Sequence, residues 1–380
     1  MAYTRVYWRP SQIPTGALVV LAMISLGGML MVETMLQQET ISDYGLMVSA
    51  ARQTEEGMTT LRAVRERVRR IDADVDPVDS GMIGVSSSPV TSLAGHLPAK
   101  QTTINPNWAA AILKMMQEAG VKPGDAVAVA VSGSFPMLNL AAYVAMERLG
   151  VQPIVIASGS ASQWGANLPG LTWIDMAREL RAAGVIKTTE VAASLGGAED
   201  RGIGVSDRGK DIIRKAIKRA DLRFLLPATL EEAVAKRIGL YTQYADGKPI
   251  AAYINIGGGT ASTGPPAVDQ YFEPGVITSA VPRAFSVESV TGHYLKQGIP
   301  VLNLSGIATI ARRYGLPPVP QTPQPIGAGG VYNTMGYQRW LAVAWVLGIL
   351  VMIYVVTRIS GVASAFGGKH EDPRQVRPTL

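Results

Sequence analysis

A chain of 380 residues with a formal net charge of +6 and 47% hydrophobic residues is long enough to bury one large core or two ordinary ones. It contains no cysteine, which excludes disulfides and thiol catalysis. Two of its apolar runs are too long and too uniform for a soluble core and point to a membrane.

The first run, "IPTGALVVLAMISLGGMLMV" (13–32), has 20 residues and no charge, enough to cross ~30 Å of hydrocarbon as a helix. It exceeds the apolar core of a signal peptide and no A-x-A site follows it, so an uncleaved transmembrane helix is expected. Arg5 and Arg9 precede it, whereas Glu33, Glu39 and Asp43 follow; the positive-inside rule therefore assigns residues 1–12 to the cytoplasm. Residues 33–71 end in "TTLRAVRERVRRI", with Leu61, Val64, Val68 and Ile71 at helical spacing, which predicts a stalk helix. Pro77, Gly81, Gly84 and Pro89 break the pattern. Asp72, Asp74 and Asp76 imitate the opening of a calcium loop, but Pro77 takes the place of the required glycine and no glutamate closes it. An exposed acidic turn is expected there, and no metal.

From 72 to 314 apolar strands alternate with small-residue loops and amphipathic helices. "DAVAVAV" leads into "SGSFP", "QPIVIA" into "SGSASQWGANLPG", "PIAAYINI" into "GGGTASTGPP", and "GIPVLNL" into "SGIATIARRYG". This predicts an extracytoplasmic α/β domain, doubly wound around a mostly parallel sheet with Ser/Gly-rich strand-to-helix loops. The helices near Asp207–Ala220 and Thr229–Tyr241 read as an insertion or extra layer, with only "FLLP" between them. Ligands in such sheets bind beyond the carboxyl ends of the strands. That nominates Ser132, Gly133, Ser134, Ser158, Gly159, Ser160, Gly257, Gly258, Gly259 and Thr260 as ligand-binding residues. The same loops also read as structural turns, with Ser134 capping a helix that starts near Pro136. None of them matches a P-loop or a dinucleotide fingerprint, so no nucleotide and no other cofactor is expected.

A catalytic serine requires a base. G-x-S-x-G fails around Ser134, which has Ser132 and Pro136 two places away. Ser132 or Ser134 as nucleophile, with His96 or His293 as base and Asp125, Asp175 or Asp269 orienting it, is the available set. Charge offers a second site. Residues 80–339 hold 23 basic and 17 acidic residues, and Lys210, Arg214, Lys215, Lys218 and Arg219 share one side of a helix. That basic face is either a solvated surface moderated by Asp207 and Asp211 or a track for an acidic polymer. It lacks interleaved aromatic residues, so nucleic acid is not an expected partner.

"GLPPVPQTPQPIGAGG" within 315–339 predicts a stiff Pro/Gly-rich linker. "WLAVAWVLGILVMIYVVT" (340–357) is a second uncharged span with aromatic residues near its ends, as at a bilayer interface. Arg358, Lys369, Arg374 and Arg377 follow and assign 358–380 to the cytoplasm as well, leaving the central domain outside a two-pass inner or plasma membrane protein.

The run from "DPVDSGMIGVSSSPVTSLAGHLPAKQTTINPN" to "AVAVAVSGSFPMLN", together with "PIVIASGSASQWGAN" and "AAYINIGGGTASTG", resembles the poly-γ-glutamate system protein family over most of the chain. The resemblance implies a membrane component that accompanies the poly-γ-glutamate synthase and serves capsule or exopolymer biosynthesis and export. Its expected partners are the synthase subunits and the anionic polymer. It supplies no catalytic residue. The "SGS" loops after strands are also similar to those of phosphosugar-binding domains. Two expectations follow: an accessory component that binds the polymer or its partners, or an extracytoplasmic serine-dependent hydrolase or transferase that processes the polymer.

Overall fold

The run Ala126–Ser132 is buried along its whole length, so the strand it forms must be covered on both faces. In the computed structural model, which describes residues 15–366, it is the strand at which a seven-stranded sheet reverses its winding. The strands are β1 (Ala126–Ser132), β2 (Gln152–Ser158), β3 (Glu190–Ser194), β4 (Arg223–Leu225), β5 (Ile250–Ile256), β6 (Gly275–Ile277) and β7 (Val301–Leu304). Their order is β6-β7-β5-β1-β2-β3-β4, all parallel except β6, which runs against β7. The class is therefore mixed α/β with a mostly parallel sheet.

Alternation along β1 divides the core. Val127, Val129 and Val131 join a large cluster with α4 (Trp108–Glu118) and α5 (Pro136–Leu149). Ala126, Ala128 and Ala130 face a second cluster that holds Tyr241, Tyr253 and Tyr294. The small alanines leave room for these rings, whose centroids lie 5.3–6.3 Å apart. The expected extra layer resolves into ordinary crossovers, because Arg223–Leu225 of "RFLLP" is itself the edge strand β4. Three residues with an exposed start are too short a period-2 pattern to read as a strand.

Two compact units are present, one spanning Thr40–Tyr332 and the other formed by the terminal segments. Where a stalk over 33–71 was expected, α2 (Tyr44–Val68) belongs to the first unit. It buries Met47, Ala50, Ala51, Thr54, Gly57 and Leu61, an apolar stripe at helical spacing that begins upstream of the charged stretch. A Cβ on Gly57 would stand 2.9 Å from Leu140 of α5, which marks how closely the two helices pack. Much of the expected linker 315–339 is packed too. Leu316, Val331 and Tyr332 are buried, and Asn107 Nδ2 donates to the Pro325 carbonyl at 3.2 Å. The first unit begins and ends at one place, where the Ile41 N–H donates to the Tyr332 carbonyl at 3.1 Å.

In the second unit, α1 (Thr15–Thr34) and the helix Arg339–Phe366 are both long and apolar enough to cross a membrane. Their large side chains, among them Leu18, Met23, Val346 and Leu350, are exposed, unlike those of a core helix. Gly28 of α1 faces the Trp345 ring. The flanking charges Arg5, Arg9, Lys369, Arg374 and Arg377 lie outside the described residues.

Candidate functional site

Strand β2 lies on one side of β1 and the later strand β5 on the other, so the loops after β1 and β5 diverge to opposite faces and open a crevice between them. The loop after β1 is laced to the loop after β2. Gly133 N–H donates to the Ser160 carbonyl at 3.1 Å, Ala166 N–H donates to the Gly133 carbonyl at 2.7 Å, and Ser162 N–H donates to Ser134 Oγ at 3.1 Å. Ser134 is thus not the expected helix cap. Phe135 occupies the N-cap of α5 without a side-chain bond, and the Ser134 hydroxyl is engaged instead by the loop after β2. On the β5 side Gly257 adopts φ +81°, and a Cβ there would fall 2.4 Å from Ser132 Oγ. Only glycine lets that loop close over the end of β1.

These loops and the segment Ser92–Lys100 enclose a cavity of about 250 Å³. Ser132, Ser134, Ser158, Ser160, Gly257, Gly258 and Gly259 line it, joined by Ser162, Gly197 and His96. Three nominated residues stand behind the lining instead. Gly133 backs onto Ala161 and Ser160, Gly159 onto Ile213, and Thr260 Oγ1 accepts the Glu199 N–H. A neighbouring lobe of about 360 Å³ shares His96, Phe135, Gly257 and Gly258, and adds Asp269 and Ser305–Thr309.

No serine–histidine–aspartate set assembles among the described residues. His293 stands on the helix Val290–Lys296, bonds Gln297 at 2.9 Å and lines a separate small cavity with Glu288. Burial pulls its pKa down. His96 borders the crevice, yet among the described residues no hydrogen bond joins it to a serine. Asp175 is spent on the Thr172 capping box and on Arg219 at 2.6 Å, and Asp125 accepts the Lys122 N–H at 2.8 Å. Asp269 alone of the acids borders the second lobe, where burial raises its pKa.

The residue that sequence reasoning missed is Lys100. It sits on α3 (Leu97–Thr103), is 3% exposed and borders the cavity. Its Nζ donates to the Ser134 carbonyl, lies 2.8 Å from Ser162 Oγ and 3.6 Å from the Phe135 ring centroid. Among the described residues it pairs with no carboxylate. Burial pushes its pKa down to about 7. The unfolded chain, near 10.4, then binds more protons than the folded one between pH ~7 and ~10. Stability is expected to rise with pH across that window by up to a few kcal/mol, and Lys100→Met should flatten the rise in urea unfolding at stepped pH. Its sequence context, "HLPAKQTT", gives no sign of this burial, since a single lysine in a seven-residue helix reads as solvated.

Behind the serines lies a second buried charge system. Arg237 of α8 (Leu230–Tyr244) is 2% exposed. Its Nε donates to Asp200 Oδ2 at 2.5 Å, and its Nη2 donates to Asp200 Oδ1 at 3.0 Å and to Ser158 Oγ at 3.1 Å. Ser194 Oγ donates to Asp200 Oδ1 at 2.8 Å. Glu199 and Asp200 hold φ values of +59° and +60°, a conformation that non-glycine residues adopt only when neighbours enforce it.

The basic face lies on α7 (Asp207–Arg219) and is largely neutralised. Lys210 pairs with Asp207 at 3.1 Å, Arg214 with Asp211 at 2.7 Å and Arg219 with Asp175 at 2.6 Å. Lys215 and Lys218 are exposed and have no ion pair among the described residues. Comparison with family profiles, with curated proteins and with solved structures found no match for this chain.

Proposed function

We propose that this protein is a two-pass membrane component of poly-γ-glutamate production and export. In this reading a doubly wound α/β domain, tethered by two transmembrane helices, binds a carboxylate-bearing segment of the polymer outside the cell. The resemblance of the Ser/Gly loops supports the polymer, and the apolar terminal helices support the membrane. The observation that carries an anionic ligand is Lys100, a buried amine with no carboxylate partner among the described residues, set in a cavity of hydroxyls. A buried ammonium is costly unless an opposite charge compensates it, and a bound anion supplies that charge. The N–H groups of Gly258 and Gly259 have no partner among the described residues, which adds two free donors on the opposite wall. The cavity holds one or two residues of a chain rather than a long stretch.

The test is binding of poly-γ-glutamate and of short γ-glutamyl oligomers to the full chain in detergent micelles. Affinity is expected to weaken as salt rises, and deletion of the gene is expected to reduce exported polymer. Salt-indifferent or absent binding, with unchanged polymer output, removes the reading. The 2.8 Å contact between Lys100 and Ser162 favours a second reading in which the site also acts chemically.

A further inference from the structure

We infer that Ser162 and Lys100 form a nucleophile and general-base pair that attacks an amide or ester carbonyl bound in the crevice. The pair stands on its own geometry; only its substrate class, an amide of an acidic polymer, rests on the function proposed above.

A buried amine without a carboxylate has two ways to avoid an uncompensated charge. It takes up a ligand's anion, or it gives up its proton. The second leaves a lone pair on Lys100 Nζ, 2.8 Å from Ser162 Oγ, within the reach a base needs. The Ser134 carbonyl accepts an N–H from either form of the amine, so it fixes Nζ without requiring the charge. Ser162 is held from both sides. Its N–H donates to Ser134 Oγ at 3.1 Å, and its carbonyl accepts the Gly165 N–H at 3.1 Å. A nucleophile and base locked by such supporting bonds need little reorganisation before reaction. Among the described residues no base is bonded to the hydroxyls of Ser132 and Ser134: Ser132 Oγ accepts the Ser134 N–H at 3.3 Å, and Ser134 Oγ accepts the Ser162 N–H. Across the cavity, Gly258 and Gly259 present main chain with no side chain, and their N–H groups are free among the described residues. They are the available donors for a developing oxyanion.

The step balances with water as the only co-reactant. Ser162 Oγ forms a bond to the carbonyl carbon while its proton passes to Lys100 Nζ. The carbonyl carbon's bond to nitrogen then breaks, and the Lys100 ammonium returns that proton to the leaving amine. Water attacks the acyl-Ser162 ester, again through Lys100, and releases a carboxylic acid and the free hydroxyl. A serine–lysine pair of this kind is an alternative to the serine–histidine–aspartate set, which does not assemble among the described residues.

The test treats the full chain in detergent micelles with a fluorophosphonate probe and maps the labelled peptide. Label is expected on Ser162, absent in Ser162→Ala, and slowed at least ~100-fold in Lys100→Met, the scale of a lost general base. Because the chain has no cysteine, Ser162→Cys supplies a unique thiol whose iodoacetamide alkylation reads the base without any turnover. Alkylation at pH 7 is expected to fall about tenfold or more when Lys100→Met is added. This readout survives if Lys100→Met alone disturbs folding, since the pH midpoint of alkylation in Ser162→Cys is expected below that of a free thiol. An unlabelled Ser162, with an alkylation midpoint no lower than that of a free thiol, overturns the pair. If polymer binding persists in that outcome, Lys100 is an ammonium anchor and the proposed function stands. Labelling of Ser162 without polymer binding leaves the pair in place and removes the polymer.

Discussion

Arg237→Met is expected to destabilise the α/β unit by about 3–5 kcal/mol, the cost of breaking a buried ion pair by removing one partner. Burial alone would lower the Arg237 pKa, but the charge and hydrogen bonds of Asp200 more than reverse this and keep it protonated. Without the guanidinium, Asp200 keeps its position at 5% exposure with only serine hydroxyls near it. The left-handed turn at Glu199 and Asp200 then loses the contact that holds it. Against a total of about 5–15 kcal/mol for a domain, such a loss shifts the urea midpoint of tyrosine and tryptophan fluorescence to much lower denaturant. Removing both partners, as in Arg237→Met with Asp200→Asn, is expected to recover a substantial part, because no uncompensated charge remains. Equal midpoints for the parent and the single variant would show that the pair does not hold this loop.

Lys100→Met is expected to weaken binding of γ-glutamyl oligomers by about 30-fold or more, equivalent to at least ~2 kcal/mol for a desolvated charge pair. The ammonium form binds the anion, and burial has lowered its pKa to about 7. Affinity in the parent should therefore be flat between pH ~5 and ~7, where the ligand's carboxylates stay ionised, and decline above pH ~7, approaching tenfold per unit. The variant should show no such step. His96 borders the same cavity and Asp269 the adjoining lobe, so His96→Gln and Asp269→Asn serve as controls that retain the step. Calorimetry at pH 6, 7 and 8 checks all four proteins. A step that persists in Lys100→Met assigns the titration to another group.

The sheet was legible in the sequence because its central strands are short, continuous apolar runs bounded by small polar residues. Such runs leave one arrangement, buried on both faces. The crevice followed from the same pattern, since the loops after parallel strands share one edge. Lys100 was not legible, because its burial comes from Ser162 and Phe135, residues distant in sequence that only the tertiary fold brings over it. Asp200 was equally hidden: its partner lies 37 residues away on α8, and a non-glycine residue in a left-handed turn leaves no compositional mark. Between Met47 and Leu61 the buried stripe of α2 runs through alanine, threonine and glycine, so the helix read as a stalk. Ser134 looked like a cap because the following proline suits a helix start. Its hydroxyl instead takes the N–H of Ser162, a contact that sequence spacing does not encode.

The hydrogen bond from Ile41 to Tyr332 makes the α/β unit a closed loop whose entry and exit share one doorway. A module of this shape can be inserted into a hairpin of another chain, or excised from its own, without stretching the flanking backbone. Bridging positions 40 and 332 by a few flexible residues would preserve that doorway. The ends of the unit could then be moved to a surface loop on its far side, giving a soluble circular permutant.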